Sequence, residues 1–197
     1  MAVSSLLIGV TRFFRDRAVF NRMRKDVMPV LSEGGRPLRV WSAGCSTGAE
    51  LYSMAILLAE LGLLTKTFLL GTDFRDDAIE YARTGTYDAK VKGLTPAEID
   101  RWFGQEGKTV RPAERLRARI RWKQANWLTD AEKGPWDIIL WRNAAIYLTA
   151  EAAFAVWARL HGQLRKGGFM ITGKAERPPW SLGMHMAGQS IYQKAGV

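Results

Sequence analysis

Three apolar runs in this sequence end abruptly in residues that could do chemistry. LRVWSAG passes into CSTGAE, so Gly44 and Gly48 place pliable backbone where a strand should hand over to a helix. TKTFLLGTDF ends near Asp73, which follows Gly48 at roughly the spacing, about 20 residues, at which a carboxylate meets ribose hydroxyls. PWDIILWRN ends in Arg142 and Asn143, a polar exit that a hydrophobic strand tolerates when those residues meet solvent or a ligand.

Each end has two readings. The glycine turn either cradles a ligand or is simply tight, Asp73 either binds a ribose or caps the next helix, and Arg142 either meets a ligand or water. The turn lacks the G-x-G-x-x-G spacing of dinucleotide sites and the lysine of a P-loop, which disfavours a nucleotide triphosphate. Taken together, the three ends point to an adenosine-type ligand, and S-adenosylmethionine (SAM) fits better than a dinucleotide. The only histidines are His161 and His185 and the only cysteine is Cys45, so no metal-ligand cluster forms at recognisable spacing and no internal disulfide is possible.

The elements that must position these residues alternate. Apolar residues at 13, 14, 19, 20, 23, 27, 28 and 31 recur at helical spacing, which predicts one amphipathic helix or two short ones over 11–31. SEGGRP at 32–37 is a loop. Strands are expected at 38–44, 65–74, 135–143, 169–173 and 189–195, and helices at 49–64, 76–85 and 149–168. Strands alternating with helices imply a mostly parallel, doubly wound α/β sheet. Between 86 and 125 the alternation lapses. A helix start at Thr95, Pro96 and Glu98 is followed by two expected short strands with alternating Ile120 and Trp122, so this stretch is read as a small inserted β-subdomain. Residues 1–37 are read as a helical linker ahead of a domain over 38–197; MAVSSLLIGV is expected to be a helix or strand within the fold.

The chain carries 29 basic against 19 acidic residues, a net charge of +10. That excess draws acidic partners or keeps the protein soluble. No stretch approaches the roughly 18 apolar residues of a membrane span, and a cytoplasmic protein without membrane insertion is expected.

In order along the chain stand VTRFFRD, VWSAGCSTGAELYSMA, LGTDF, ARTGTYD, KGLTPAEIDRWF, QANWL, PWDIILWRNAAIYL, LRKGGFMITG and IYQK. This series resembles the CheR-type chemoreceptor glutamate methyltransferases over roughly residues 10–195. The resemblance implies a Rossmann-like, class I SAM-dependent methyltransferase with a small antiparallel insert. It places Thr11 and Arg15 at the cofactor and substrate site, Glu50 and Asp73 on the cofactor, and Asn126 and Trp127 beside the adenine. Trp141 and Arg142 would lie under the methionine end, with Tyr147 near the transferred methyl. The implied catalytic residues are Arg15 and Tyr147; Gly44 is the close backbone approach.

The chain also departs from the family's pattern. Only about ten residues precede VTRFFRD, where the family has a helical domain. Ala49 and Leu51 replace a glutamate and a proline, while GKAE keeps Glu176. The implied acceptor is an acidic protein such as a chemoreceptor signalling domain. A small molecule, or SAM binding without turnover, are the alternatives. Nucleic acid is disfavoured because no NPPY-like motif or stacking platform accompanies the positive charge.

Overall fold

The computed structural model describes residues 11–196; the reading of MAVSSLLIGV lies outside them. A seven-stranded sheet forms the centre. Its strands are β1 (Leu38–Ala43), β2 (Thr67–Asp73), β6 (Ile120–Gln124), β7 (Trp136–Trp141), β8 (Leu164–Thr172), β9 (Met184–Gly188) and β10 (Ile191–Lys194). They lie in the order β6-β2-β1-β7-β8-β10-β9. The first five are parallel neighbours, and β10 and β9 close the sheet antiparallel. A separate three-stranded antiparallel sheet is built from β3 (Tyr87–Asp88), β4 (Phe103–Glu106) and β5 (Thr109–Pro112).

The near-continuous apolar strands follow from burial on both faces. Alternate residues divide between two cores. Leu38, Val40, Leu69, Ile138, Leu140, Phe169 and Ile171 face the larger one, which includes α3 (Ala49–Glu60) and the helical run of residues 17–32. That run comprises α1 (Arg17–Arg22), a π turn at Met23–Val27 and α2 (Met28–Ser32). Val19, Phe20, Met23, Val27, Met28 and Leu31 are the buried stripe expected from their spacing. Trp41, Ile139, Trp141 and Met170 face the other way, onto Val156, Trp157 and Leu160 of α7 (Ala150–Gln163). The helix α4 (Asp76–Thr84) lies along β2 and β6, and α6 (Glu114–Arg117) joins β5 to β6.

Three features differ from the sequence reading, the last a strand it did not expect. Ile120–Gln124 was grouped with the insert but is the edge strand of the main sheet, registered Leu69 to Ile120 through Asp73 to Gln124. Gly71 explains the fit, because a Cβ there would come within 2.5 Å of the Trp122 ring. The small sheet therefore ends at Pro112. Second, α7 stops at Gln163, not at 168. Leu164 pairs with Trp136, and the shift in register before Ile138 needs left-handed Gly167 and the bare backbone of Gly168, whose Cβ would meet Arg165 O at 2.9 Å. Third, β9 carries no clear alternation and forms by pairing with β10.

The insert is pinned to the N-terminal segment. The helix α5 (Pro96–Trp102) starts with the expected capping box between Thr95 and Glu98. Arg17 donates to both Glu98 oxygens at 2.6 and 2.9 Å and to Gly93 O at 2.6 Å. Burial alone would raise the Glu98 carboxyl, but hydrogen bonds from Arg17 and Thr95 outweigh it and hold the group below its ordinary carboxylate value. The lowered folded-state pKa makes this stabilisation complete above the ordinary value and lost as pH falls through the folded one. Thermal melts of wild type and Glu98→Gln should therefore differ at pH 7 and converge as the pH drops below the normal glutamate range.

Candidate active site

In a sheet of this order, β1 is followed by strands on one side and β7 opens the other, so the switch point lies beyond the carboxyl ends of β1 and β7. A cleft of about 670 Å³, counted with its open mouth, occupies that position. Its wall combines the loop after β1 (Gly44, Cys45, Ser46), the loop after β2 (Phe74, Arg75) and the end of β2 at Asp73. Arg142 to Ala144 after β7, Glu50 of α3, Trp127, Tyr147, and Thr11 and Arg15 of the N-terminal segment complete it.

Eight sequence-predicted residues thus meet in one place: Thr11, Arg15, Gly44, Glu50, Asp73, Trp127, Arg142 and Tyr147. Asn126 and Trp141 do not line the cleft. Trp141 is fully buried, edge-on to Trp157 at 4.5 Å and to Trp127 at 5.8 Å, because strand alternation sends it with Ile139 towards α7. The Asn126 side chain instead accepts the Leu128 N–H at 3.1 Å and shapes the turn that carries Trp127. Gly48 is likewise a packing residue: at φ 87° it opens α3, and a Cβ there would meet Trp122 at 2.8 Å.

The electrostatic centre is Arg142, whose side chain is 1% exposed. Its guanidinium donates to Asp16 at 2.8 Å, to Glu50 at 3.2 Å and to Thr172 O at 3.2 Å. Glu50 also accepts from Ser42 Oγ at 3.0 Å. One end of the cleft is thereby an ordered acid–base–acid array joining three distant segments. At the other end Asp73 accepts the Ser46 N–H at 2.8 Å and the Arg75 N–H at 3.1 Å on different oxygens. Each oxygen retains acceptor capacity for a further donor.

The sequence reading assigned no role to Ser46, Arg75, Asp16 or Glu176. The Glu176 carboxylate, nearly fully buried, accepts four backbone N–H groups: Asn143 at 2.6 Å, Ala144 at 2.7 Å, and Ala145 and Gly173 at 2.8 Å. It shapes the turn after β7. Backbone strain gathers at the same place. Phe14, Asp16, Ser46 and Asn143 all adopt left-handed φ of 45–60° without being glycine, each at a cost of order 1–3 kcal/mol that packed surroundings must sustain. Gly44 is left-handed too, and a Cβ on it would press within 3.3 Å of Trp127 Nε1.

The cleft suits SAM. Two carboxylates, a bare glycine turn and the Trp127 ring line it, groups whose chemistry matches hydroxyls, amino groups and a flat base, and no lysine is among the lining residues. Among the described residues no acid, histidine and cysteine cluster could hold a metal, and no helix is long and apolar enough to cross a membrane.

Sheet order and cleft together define a Rossmann-like, class I SAM-dependent methyltransferase. The particular family follows from comparison: the model described as "CheR methyltransferase, SAM binding domain" matches residues 9–186, and the chain belongs to that family. It is 34% identical over 190 residues to chemotaxis protein methyltransferase 1 of Pseudomonas aeruginosa, covering 89% of this chain and 69% of that one. It is also 34% identical over 178 residues to the chemotaxis protein methyltransferase of Listeria monocytogenes, covering 89% and 68%. Solved structures show the same fold at low identity. The CMeT domain of the citrinin polyketide synthase gives a TM-score of 0.53 at 19% identity, covering 83% of this chain and 36% of that one. SAM-bound CalS10, an amino pentose methyltransferase from Micromonospora echinaspora, gives 0.50 at 18%, covering 87% and 52%.

Proposed function

We propose that this methyltransferase esterifies glutamate side chains of an acidic protein resembling a chemoreceptor signalling domain. The observation that carries the reading is an unpartnered guanidinium in a cleft with no histidine and no readily ionised thiol, whose two carboxylates, Glu50 and Asp73, are already engaged by Arg142 and Ser42 and by backbone N–H groups. Arg15 lines the cleft, and among the described residues no hydrogen bond or ion pair engages its side chain. Neither histidine lines the cleft, and burial, with Asp73 and Glu50 adding, pushes the Cys45 thiol well above its ordinary value.

An acceptor that must first lose a proton would need a base here. A glutamate carboxylate is already ionised at neutral pH. When bound, SAM supplies a methyl group activated by its sulfonium. The chain's task is to hold the acceptor oxygen in line with that methyl, the orientation contribution to catalysis. Arg15 holds the acceptor carboxylate. Tyr147, half-exposed on the turn after Asn143, positions the acceptor or the methyl through its hydroxyl. Glu50, Asp73, Trp127 and Arg142 hold the cofactor, with Thr11 and Gly44 lining its place.

Transfer of tritium from methyl-labelled SAM to acidic receptor fragments tests this, with base treatment releasing volatile methanol from a carboxyl methyl ester. Label on a small metabolite and on no acidic protein would overturn the reading. Tyr147→Phe should bind SAM within about twofold of wild type yet methylate at least about tenfold more slowly, the effect of one positioning hydrogen bond worth about 1.5 kcal/mol. A wild-type rate would remove Tyr147 from the mechanism.

A further inference from the structure

A second cleft, larger than the first at about 1,470 Å³ with its open mouth, runs away from the active site between the N-terminal segment and the insert. The two clefts share Thr11 and Arg15, so Arg15 stands at their junction. Arg12 lies on one wall and Lys90 and Lys92 on the other, with Tyr81 and Tyr87 between them and Asp88 as the lone acid. Among the described residues none of the three outer cations has a side-chain partner, and Asp88 Oδ1 is already engaged by the Lys90 N–H at 2.7 Å.

The basic run at 111–123 is differently placed. Arg111 donates to Thr84 O, Arg115 to Arg101 O and Arg117 to Pro112 O, while Lys123 pairs with Glu132. These cations serve the insert and the sheet edge. Arg12, Lys90 and Lys92 instead line the groove that leads to Arg15.

The groove is also preformed. Arg17 bridges its two walls through Glu98 and Gly93 O, and Gly93, at φ 98°, lies so close to Phe13 that a Cβ would come within 1.8 Å of its carbonyl oxygen. Phe13 packs edge-on to Tyr87 at 4.9 Å, and the Tyr87 hydroxyl donates to Thr47 O at 2.6 Å, which fixes the floor. These contacts tie the two walls together, and a groove held in this way lowers the ordering cost of binding.

We propose that this groove docks the methyl acceptor as a protein segment carrying acidic residues beside the target glutamate. Arg12, Lys90 and Lys92 take the flanking carboxylates and deliver the target one to Arg15. The inference rests on the reading that the acceptor is a protein carboxylate. It goes further by assigning specificity to three residues outside the cofactor cleft. A small acceptor would have no use for cations along this second cleft.

The test uses the whole chain with S-adenosylhomocysteine bound and three fluorescein-labelled peptides: a central glutamate flanked by glutamates, the same flanked by glutamines, and the same flanked by lysines. Wild type should bind the acidic peptide at least tenfold more tightly than the glutamine one, and this preference should weaken with added salt. The Arg12→Ala/Lys90→Ala/Lys92→Ala variant should hold S-adenosylhomocysteine as wild type does, which reports an intact fold. It should lose the preference, and its kcat/KM on the acidic peptide should fall at least tenfold, mainly through KM. Lys90→Glu/Lys92→Glu should shift the preference to the lysine-flanked peptide. An unchanged preference in both variants overturns the groove and leaves carboxyl methylation standing. Groove-dependent binding without ester formation overturns the methylation reading and keeps the groove. Absence of both overturns both.

Discussion

Glu176→Gln should lower the melting temperature by about 6–12 °C and weaken S-adenosylhomocysteine binding at least tenfold. The carboxylate divides its four bonds evenly: Oε2 takes the Asn143 and Gly173 N–H groups, and Oε1 takes those of Ala144 and Ala145. A glutamine keeps the shape but turns one oxygen into a donor that faces two buried donors. Leaving buried N–H groups unsatisfied costs about 1–3 kcal/mol each. With about 3 kcal/mol in total, a chain of this size shifts by about 2–4 °C per kcal/mol. The cofactor effect follows because Asn143 and Ala144 line the cleft and Asn143 is held at φ 58°. Once the turn is released, Asn143 relaxes from that conformation and Arg142, the preceding residue, loses its fixed base. Differential scanning fluorimetry and calorimetric titration measure the two effects. A lower melting point with unchanged cofactor affinity would mean that the turn after β7 takes no part in binding.

Glu176 also shows where sequence reading reaches its limit. Its motif context in GKAE was visible, but its partners at 143–145 lie more than 30 residues away, and no local pattern predicts four convergent N–H groups. The strands β1, β2 and β7 were legible because apolar runs stop at Gly44, Asp73 and Arg142, and those stops mark the cleft. Trp141 was assigned by motif to the cofactor, yet its register was also readable. It shares a face with Ile139, which places it against α7. The Gly167–Gly168 pair looks like a helix stop in sequence. Only the pairing of Leu164 with Trp136 turns it into a strand irregularity. The basic run at 111–123 drew attention by its density, whereas the groove cations come from segments almost 80 residues apart. Charge that a fold leaves unpartnered cannot be read from charge that a sequence contains.

Arg142→Met should cost about 3–5 kcal/mol of stability, the usual effect of removing one partner from a buried ion pair. Methionine fills much of the same space, so the loss reports charge more than volume. Asp16 and Glu50, 12% and 13% exposed, are then left facing each other with no cation between them. Lys174, at 3.2 Å from Asp16, compensates on one side only. The double variant Arg142→Met/Glu50→Gln separates structure from binding. Removing the second charge should restore part of the stability, since an uncompensated carboxylate is the main cost, and the double-mutant cycle should show coupling of 0.5–3 kcal/mol. Cofactor affinity should stay low in both variants, because Glu50 and Arg142 line the cleft and the glutamine carries no charge. Recovery of S-adenosylhomocysteine binding together with stability would make the array a structural strut alone. Recovery of stability without binding assigns it to the cofactor, with the strained Asp16 and the RFFRD segment held in place by the same guanidinium.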